Sequence, residues 1–236
     1  MIHIYYRLCN QDDMTKRPIG YSKVNCLNNF LKACEYIKGD WNFRIVCDGT
    51  RPEWLTIEPF IQLDNAGNAQ SFWRTYKEAL EHPDHDWIYF AEDDYIYLPS
   101  AMAELELAIQ NLGVDFITLY DHPDRYVNLP EHNLTDGRNI IKLSGFRHWR
   151  TSPSSPMSFA ASVRALRACY DLFDVWTNRD GYTVSWELFP RLQGLRGEKD
   201  YGFRLMGPMP SLATHCVIDY LSPCIDWEMS ERGAKI

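Results

Sequence analysis

Apolar positions in the first half of the chain alternate between continuous runs and helical spacing. Ile2–Leu8 (IHIYYRL) is a mostly apolar run that predicts a buried strand. From Ser22 to Lys38, Val24, Leu27, Phe30, Leu31, Cys34 and Ile37 recur with a helical period, and Ser22 is placed to cap the helix. Phe43–Cys47 predicts a second strand that stops at the turn pair Asp48-Gly49. Phe60–Leu63 predicts a short third strand, followed by Asp64-Asn65-Ala66-Gly67 and a helix over Ala69–Leu80. Trp87–Ala91 predicts a fourth strand that runs straight into Glu92-Asp93-Asp94. Pro99 opens a helix reaching about Leu112, because proline suits a first helical turn. Phe116–Tyr120 predicts the fifth strand.

Repeated strand-helix-strand units predict an α/β fold, a mostly parallel Rossmann-like central sheet with helices on both faces. The second half is less regular. Residues 121–156 read as a long loop carrying a hairpin at Ile140–Leu143, Met157–Ala161 as a strand, Val163–Phe173 as a helix and Trp186–Leu192 as another. No linker or internal repeat divides the chain. The expectation is one domain over 1–236, with 1–120 as a sheet-forming half and 121–236 as a specialised second half.

Composition narrows the class. With 236 residues, 45% hydrophobic and 14% aromatic, the chain can bury a core without disulfides. Seven cysteines at irregular spacing with no CxxC pair predict reduced, mostly buried thiols and a cytoplasmic location. The first residues read as a strand and not a leader, and no apolar run is long enough to span a bilayer. The net charge of −8 falls entirely on residues 1–118, which hold 10 Lys and Arg against 18 Asp and Glu; residues 119–236 hold 14 of each. Inside the balanced half, Arg138–Tyr170 contains Arg138, Lys142, Arg147, Arg150, Arg164 and Arg167 and no acid. This pattern predicts a cation site in the first half and a basic face in the second.

The chemistry centres on Glu92-Asp93-Asp94. Carboxylates crowded at a strand end repel one another unless cations neutralise them. Hard oxygen ligands of this kind suit Mg²⁺ or Mn²⁺ shared with a diphosphate. Ligands in parallel α/β sheets bind beyond the carboxyl ends of the strands, where this cluster falls. The sequence has no GxSxG, P-loop, strand-associated GxGxxG or HExxH motif.

The segment WIYFAEDDYIYLPSAMAEL resembles the DXD-type segment of GT-A glycosyltransferases of the family-2-like kind, with Glu where the first acid is usually Asp. The resemblance implies a metal-dependent transferase with a nucleotide-sugar donor, UDP-sugar favoured, and an inverting outcome. By that likeness Asp94 is a metal ligand, while Glu92 and Asp93 lie near the sugar nucleotide. Asp48 resembles the acid that receives the nucleotide base, and Asn65 and Gly67 belong to a donor-side turn. His215, in PSLATH, resembles the late histidine that returns to the metal. Glu187, in SWELF, resembles the catalytic base, with Asp180 in reserve and Trp186 stacking on the acceptor.

The acceptor is less defined. Arg147, Trp149 and Arg150, in FRHWR, interleave bases with aromatics and predict an acceptor-binding patch, with a hold on the donor diphosphate or pairing with the acidic first half as the alternatives. A saccharide, lipid-linked or protein acceptor is favoured, with a modified nucleic-acid base as the alternative, because the overall acidity opposes general nucleic-acid binding. Two other readings compete: a nucleotidyltransferase, and a non-catalytic protein that binds nucleotide-sugars or carbohydrate. The former lacks a Gly-rich basic loop after the first strand, where Arg7-Leu8-Cys9-Asn10 stands instead. The latter is disfavoured by Asp94, Glu187 and His215 occurring together.

Overall fold

A computed structural model of the chain describes residues 1–126, 140–177, 184–197 and 199–229. Its core is a nine-stranded sheet. Four strands, β1 (Ile2–Cys9), β2 (Trp41–Asp48), β3 (Ile61–Leu63) and β4 (Trp87–Glu92), pair in parallel in the order β3-β2-β1-β4. The sheet continues through β9 (Phe159–Ser162), β6 (Phe116–Ile117), β10 (Leu205–Met209), β8 (Arg147–Thr151) and β7 (Ile141–Ser144). Only β9 and β8 run against the others, so seven of the nine strands share one direction. A separate two-stranded ribbon joins β5 (Tyr95–Tyr97) to β11 (Ala213–His215).

Alternate residues of each strand enter two different core layers, as strand geometry requires. On β1, Ile4, Tyr6 and Leu8 face α1 (Lys23–Cys34) and α3 (Ala101–Asn111), packing with Leu27, Phe30, Met102 and Leu105. Tyr5 faces the opposite layer, built from α2 (Gly67–Ala79), α4 (Val163–Ala168), α5 (Tyr170–Thr177) and α6 (Ser185–Leu192). The expected mostly parallel sheet with helices on both faces is therefore present.

Local signals act as predicted in most places. The Ser22 hydroxyl accepts from the Asn25 amide at 3.2 Å and starts α1. Helix α3 begins after a Ser100 cap, two residues beyond Pro99. The predicted helix over Val163–Phe173 is two helices, because the backbone at Cys169 (φ −107°, ψ 15°) leaves the helical region. Hairpin β7–β8 turns at Gly145, whose φ of +58° suits a residue without Cβ. The hairpin expected at Ile140–Leu143 covers only β7, and strands β5, β8, β10 and β11 are not predicted by the sequence pattern.

The cysteines form no disulfide, and five of the seven are buried. Among the described residues no helix is long and apolar enough to cross a membrane.

Candidate active site

Parallel pairing brings four strand ends to one edge of the sheet. Cys9 stands opposite Asp48, Asp48 opposite Leu63, and Arg7 opposite Glu92. The segments that follow these strands border a cavity of about 390 Å³, lined by Leu8, Cys9, Asn10 and Gln11 from the β1 end, and by Asp48, Asn65, Gly67, Glu92, Asp93 and Asp94. The donor-side residues expected from the sequence are thus neighbours in space.

Asp48 holds the turn before α2. Its two carboxylate oxygens accept from the amides of Ala66 (2.7 Å) and Gly67 (2.8 Å). These are the N-cap and the first residue of α2, a helix whose own cap, Ala66, has no side-chain acceptor. Asn65 and Gly67 both adopt positive φ, +50° and +85°, to make the turn. Gly49 (φ +90°) is needed for a second reason: a Cβ there would lie 2.6 Å from Asn10 Oδ1 and 3.0 Å from Asn65 Oδ1.

Each acid of the cluster meets its own cation. Glu92 accepts from Arg7 Nη2 at 2.7 Å. Asp93 Oδ2 accepts from Lys23 Nζ and from the Cys9 amide, both at 2.8 Å. Asp94 Oδ2 accepts from Arg17 Nη1 at 3.0 Å and lies 2.9 Å from His215 Nε2. Burial pushes Asp93 up to about 6, with Asp94 adding to the effect and Lys23 opposing it. Burial also raises Glu92 against the pull of Arg7. At Asp94 burial works the same way, but His215 and Arg17 outweigh it and hold the carboxyl well below the usual range. For His215 burial opposes the charged ring, and Asp94 overcomes it to raise the imidazole. The cation partners Arg7, Lys23 and Arg17 were not legible in the sequence because they lie 70–85 residues from the acids they hold. The one local signal was an arginine inside the apolar run of β1.

His215 reaches Asp94 because β11 pairs with β5 directly after the acidic cluster, with His215 opposite Tyr95. Its ring stacks on Tyr95 at 5.1 Å. A hard oxygen beside an imidazole nitrogen fits a divalent cation. The nitrogen favours Mn²⁺ over Mg²⁺, which prefers oxygen alone. Asp94 Oδ1 accepts no hydrogen bond from the described residues, which leaves it for a ligand. Charge agrees: three lining cations (Arg7, Arg17, Lys23) face four carboxylates (Asp48, Glu92, Asp93, Asp94), so an added cation would strengthen the hold on an anionic ligand.

On the acceptor side the outcome is mixed. Trp186 is 55% exposed at the head of α6. Glu187 accepts from Arg191 at 2.9 Å and from Arg196, and it does not line the cavity. Asp180 lies outside the described residues. Trp149 is fully buried in the layer under α1 and α3, so it is a core residue and not an acceptor platform. Its register partner Pro208 and neighbour Lys142 share that covered face. The described bases of the predicted basic face are engaged internally, mostly with acids of the first half, which is one of the alternatives the sequence left open. Arg147 pairs with Glu104 (3.6 Å) and donates to the Pro210 carbonyl (2.9 Å), and Arg150 pairs with Asp121 (2.6 Å). Arg164 pairs with Asp115, Arg167 with Asp84, and Lys142 bonds the Leu112 carbonyl. A run without acids in sequence is supplied with acids from other elements.

No protein-family profile and no curated protein matches the sequence. Among solved structures, the chain is similar to TarS of S. aureus (residues 1–349), with a TM-score of 0.50 and 10% identity over 87% of this chain and 57% of that one. It is also similar to the galactosyltransferase LgtC in complex with donor and acceptor sugar analogues (TM-score 0.43, 9% identity, 87% and 72% of the two chains). A197 from STIV has a TM-score of 0.43 and 14% identity over 94% and 91%. The chain thus spans just over half the length of the TarS fragment. At these identities the likeness is one of fold, and that fold is the GT-A type the sequence implied.

Proposed function

We propose that the chain is a glycosyltransferase that moves a sugar from a nucleotide-sugar, UDP-sugar favoured, to an acceptor hydroxyl. The observation that carries the reading is the meeting of Asp94 and His215 at 2.9 Å beside a cavity at the carboxyl ends of parallel strands. Asp94 and His215 would hold a divalent cation, Mn²⁺ before Mg²⁺. When bound, such an ion neutralises the charge that develops on the departing diphosphate.

In the proposed reaction the bond from the anomeric carbon to the diphosphate oxygen breaks, and a bond to the acceptor oxygen forms. The acceptor proton passes to a carboxylate. Glu187 is the proposed base, which gives inversion, and Trp186 is the proposed stacking surface. One of the contacts of Glu187 with Arg191 or Arg196 must open for it to reach a hydroxyl. Asp180 stays in reserve. Glu92, Asp93 and the turn at Asn65 and Gly67 line the donor side, with Asp48 holding that turn. Internal pairing of the described bases supports a saccharide, lipid-linked or protein acceptor over a nucleic acid. A cytoplasmic location is proposed from the unpaired cysteines.

A thermal-shift panel of UDP-, GDP-, TDP- and CMP-sugars, each with and without Mn²⁺, tests the reading. One nucleotide class should raise Tm, and more so with metal. A panel with no shift at all contradicts it. In a transfer assay with the donor so found, Glu187→Gln should keep donor binding and lose turnover; full activity would move the base elsewhere.

A further inference from the structure

Three cations line the cavity, and their hydrogen bonds show which of them has donors left for a ligand. Lys23 Nζ has three protons and four acceptors within reach: the Cys9 carbonyl (2.7 Å) and sulfur (3.2 Å), the Gln11 carbonyl (2.9 Å) and Asp93 (2.8 Å). Arg7 commits Nη1 to Asn68 and Ser71, and Nη2 to Asn68 and Glu92, while its Nε is buried without a partner. Arg17 differs. Its Nε donates to Asp12 at 2.7 Å, and its Nη1 donates to Asp94 and to the Cys216 carbonyl, both at 3.0 Å. Its Nη2 makes no hydrogen bond to any described residue and is not among the buried polar atoms lacking a partner.

The guanidinium is also held rigid. It lies 4.7 Å over the Tyr21 ring, and the Tyr21 hydroxyl donates to the other Asp12 oxygen at 2.6 Å. Arg17 is thus clamped on two edges and open on the third, beside Asp94. A planar fork of this kind suits phosphate oxygens, and pre-organisation lowers the cost of binding.

We infer that Arg17 is the anion-binding residue of this cavity and takes the donor's diphosphate on its Nη2 edge. The assignment rests on the nucleotide-sugar reading for the identity of the ligand, but the anion site can be tested without it. Arg17 also joins the diphosphate to Asp94, so the anion can bind before any cation does.

The test uses inorganic pyrophosphate and the full-length chain in EDTA, with affinity measured by calorimetry. Wild type should bind, and Arg17→Met should bind about tenfold or more weakly, the scale of one charged hydrogen-bonded contact. Arg17→Lys should fall between them, because it keeps the charge and loses the fork. Asp94→Asn should bind pyrophosphate more tightly than wild type, whereas an Arg17 that acted only by placing Asp94 would make the two losses alike. If Arg17→Met does not fold, Arg17→Lys decides, since its circular dichroism and affinity can be read together. Wild-type affinity in both Arg17 variants, or no metal-free binding by wild type, overturns the proposal. A silent nucleotide-sugar panel alongside an Arg17-dependent pyrophosphate site would sink the proposed function and leave the anion site standing.

Discussion

Asp48 illustrates how one side chain carries both fold and site. The family likeness makes it a receiver of the nucleotide base, yet both its oxygens already accept backbone amides from the start of α2. Any contact with a base is shared with that duty. Asp48→Asn replaces one acceptor by a donor that faces an amide, which should cost about 1–2 kcal/mol. Urea unfolding should show a lower midpoint with an unchanged slope; an unchanged midpoint would mean the turn stands without its tether. The acids of the cluster show the same economy of position. Repulsion among three adjacent carboxylates was legible in the sequence, and so was the need for neutralising charge. The source of that charge was not. Arg7, Lys23 and Arg17 come from β1, α1 and the segment between them, and only the folded register puts them beside Glu92, Asp93 and Asp94.

Among the elements, those with a strong period were readable and those with a weak one were not. Strands β1 and β4 are largely buried, mostly apolar runs, β2 is buried over its second half, and α1 carries a clear apolar face. Strand β10 (LMGPM) contains Gly207 and Pro208, both poor strand formers. Proline is tolerated there because β6 pairs only with Leu205 and Met206, leaving Pro208 with no neighbour on that side. Strands β5 and β11 have three residues each, too few for a period to show. What fixes β5 is a side chain. Asn29, buried on α1, donates to the Tyr97 carbonyl at 3.0 Å and accepts from the Tyr97 amide at 2.7 Å, standing in for a neighbouring strand. Asn29→Ala leaves both backbone groups buried and unpaired. The expected loss is roughly 3 kcal/mol, or about 6–12 °C in Tm. Because β5 carries β11 and His215, metal affinity should weaken as well. A stable variant with intact Mn²⁺ binding would show that the ribbon holds itself.

At the scale of the whole molecule, the site depends on the chain returning to its own middle. The α/β class and the position of the cavity followed from strand-helix alternation, and the GT-A type fold from the acidic segment in its strand context. The antiparallel β9 and the far strands β10, β8 and β7 extend the sheet with material from the second half, and β11 crosses back to pair with β5. Asp94 and His215 are 121 positions apart and meet only through that crossing. The acceptor side was the least legible, because charge runs in sequence do not say which acids the fold will bring. Trp149 and the arginines around it are answered from elsewhere in the chain, as core or as ion pairs.

Asp94 and His215 are proposed to form a metal-assisted donor site. This assignment is tested most directly by measuring Mn²⁺-dependent binding of the donor found in the panel to wild type and Asp94→Ala. Wild type should bind the nucleotide-sugar at least tenfold more tightly with Mn²⁺ than in EDTA, on the order of 1.4 kcal/mol or more, and Asp94→Ala should lose this gain while remaining folded. A metal-dependent gain that survives in Asp94→Ala would contradict it.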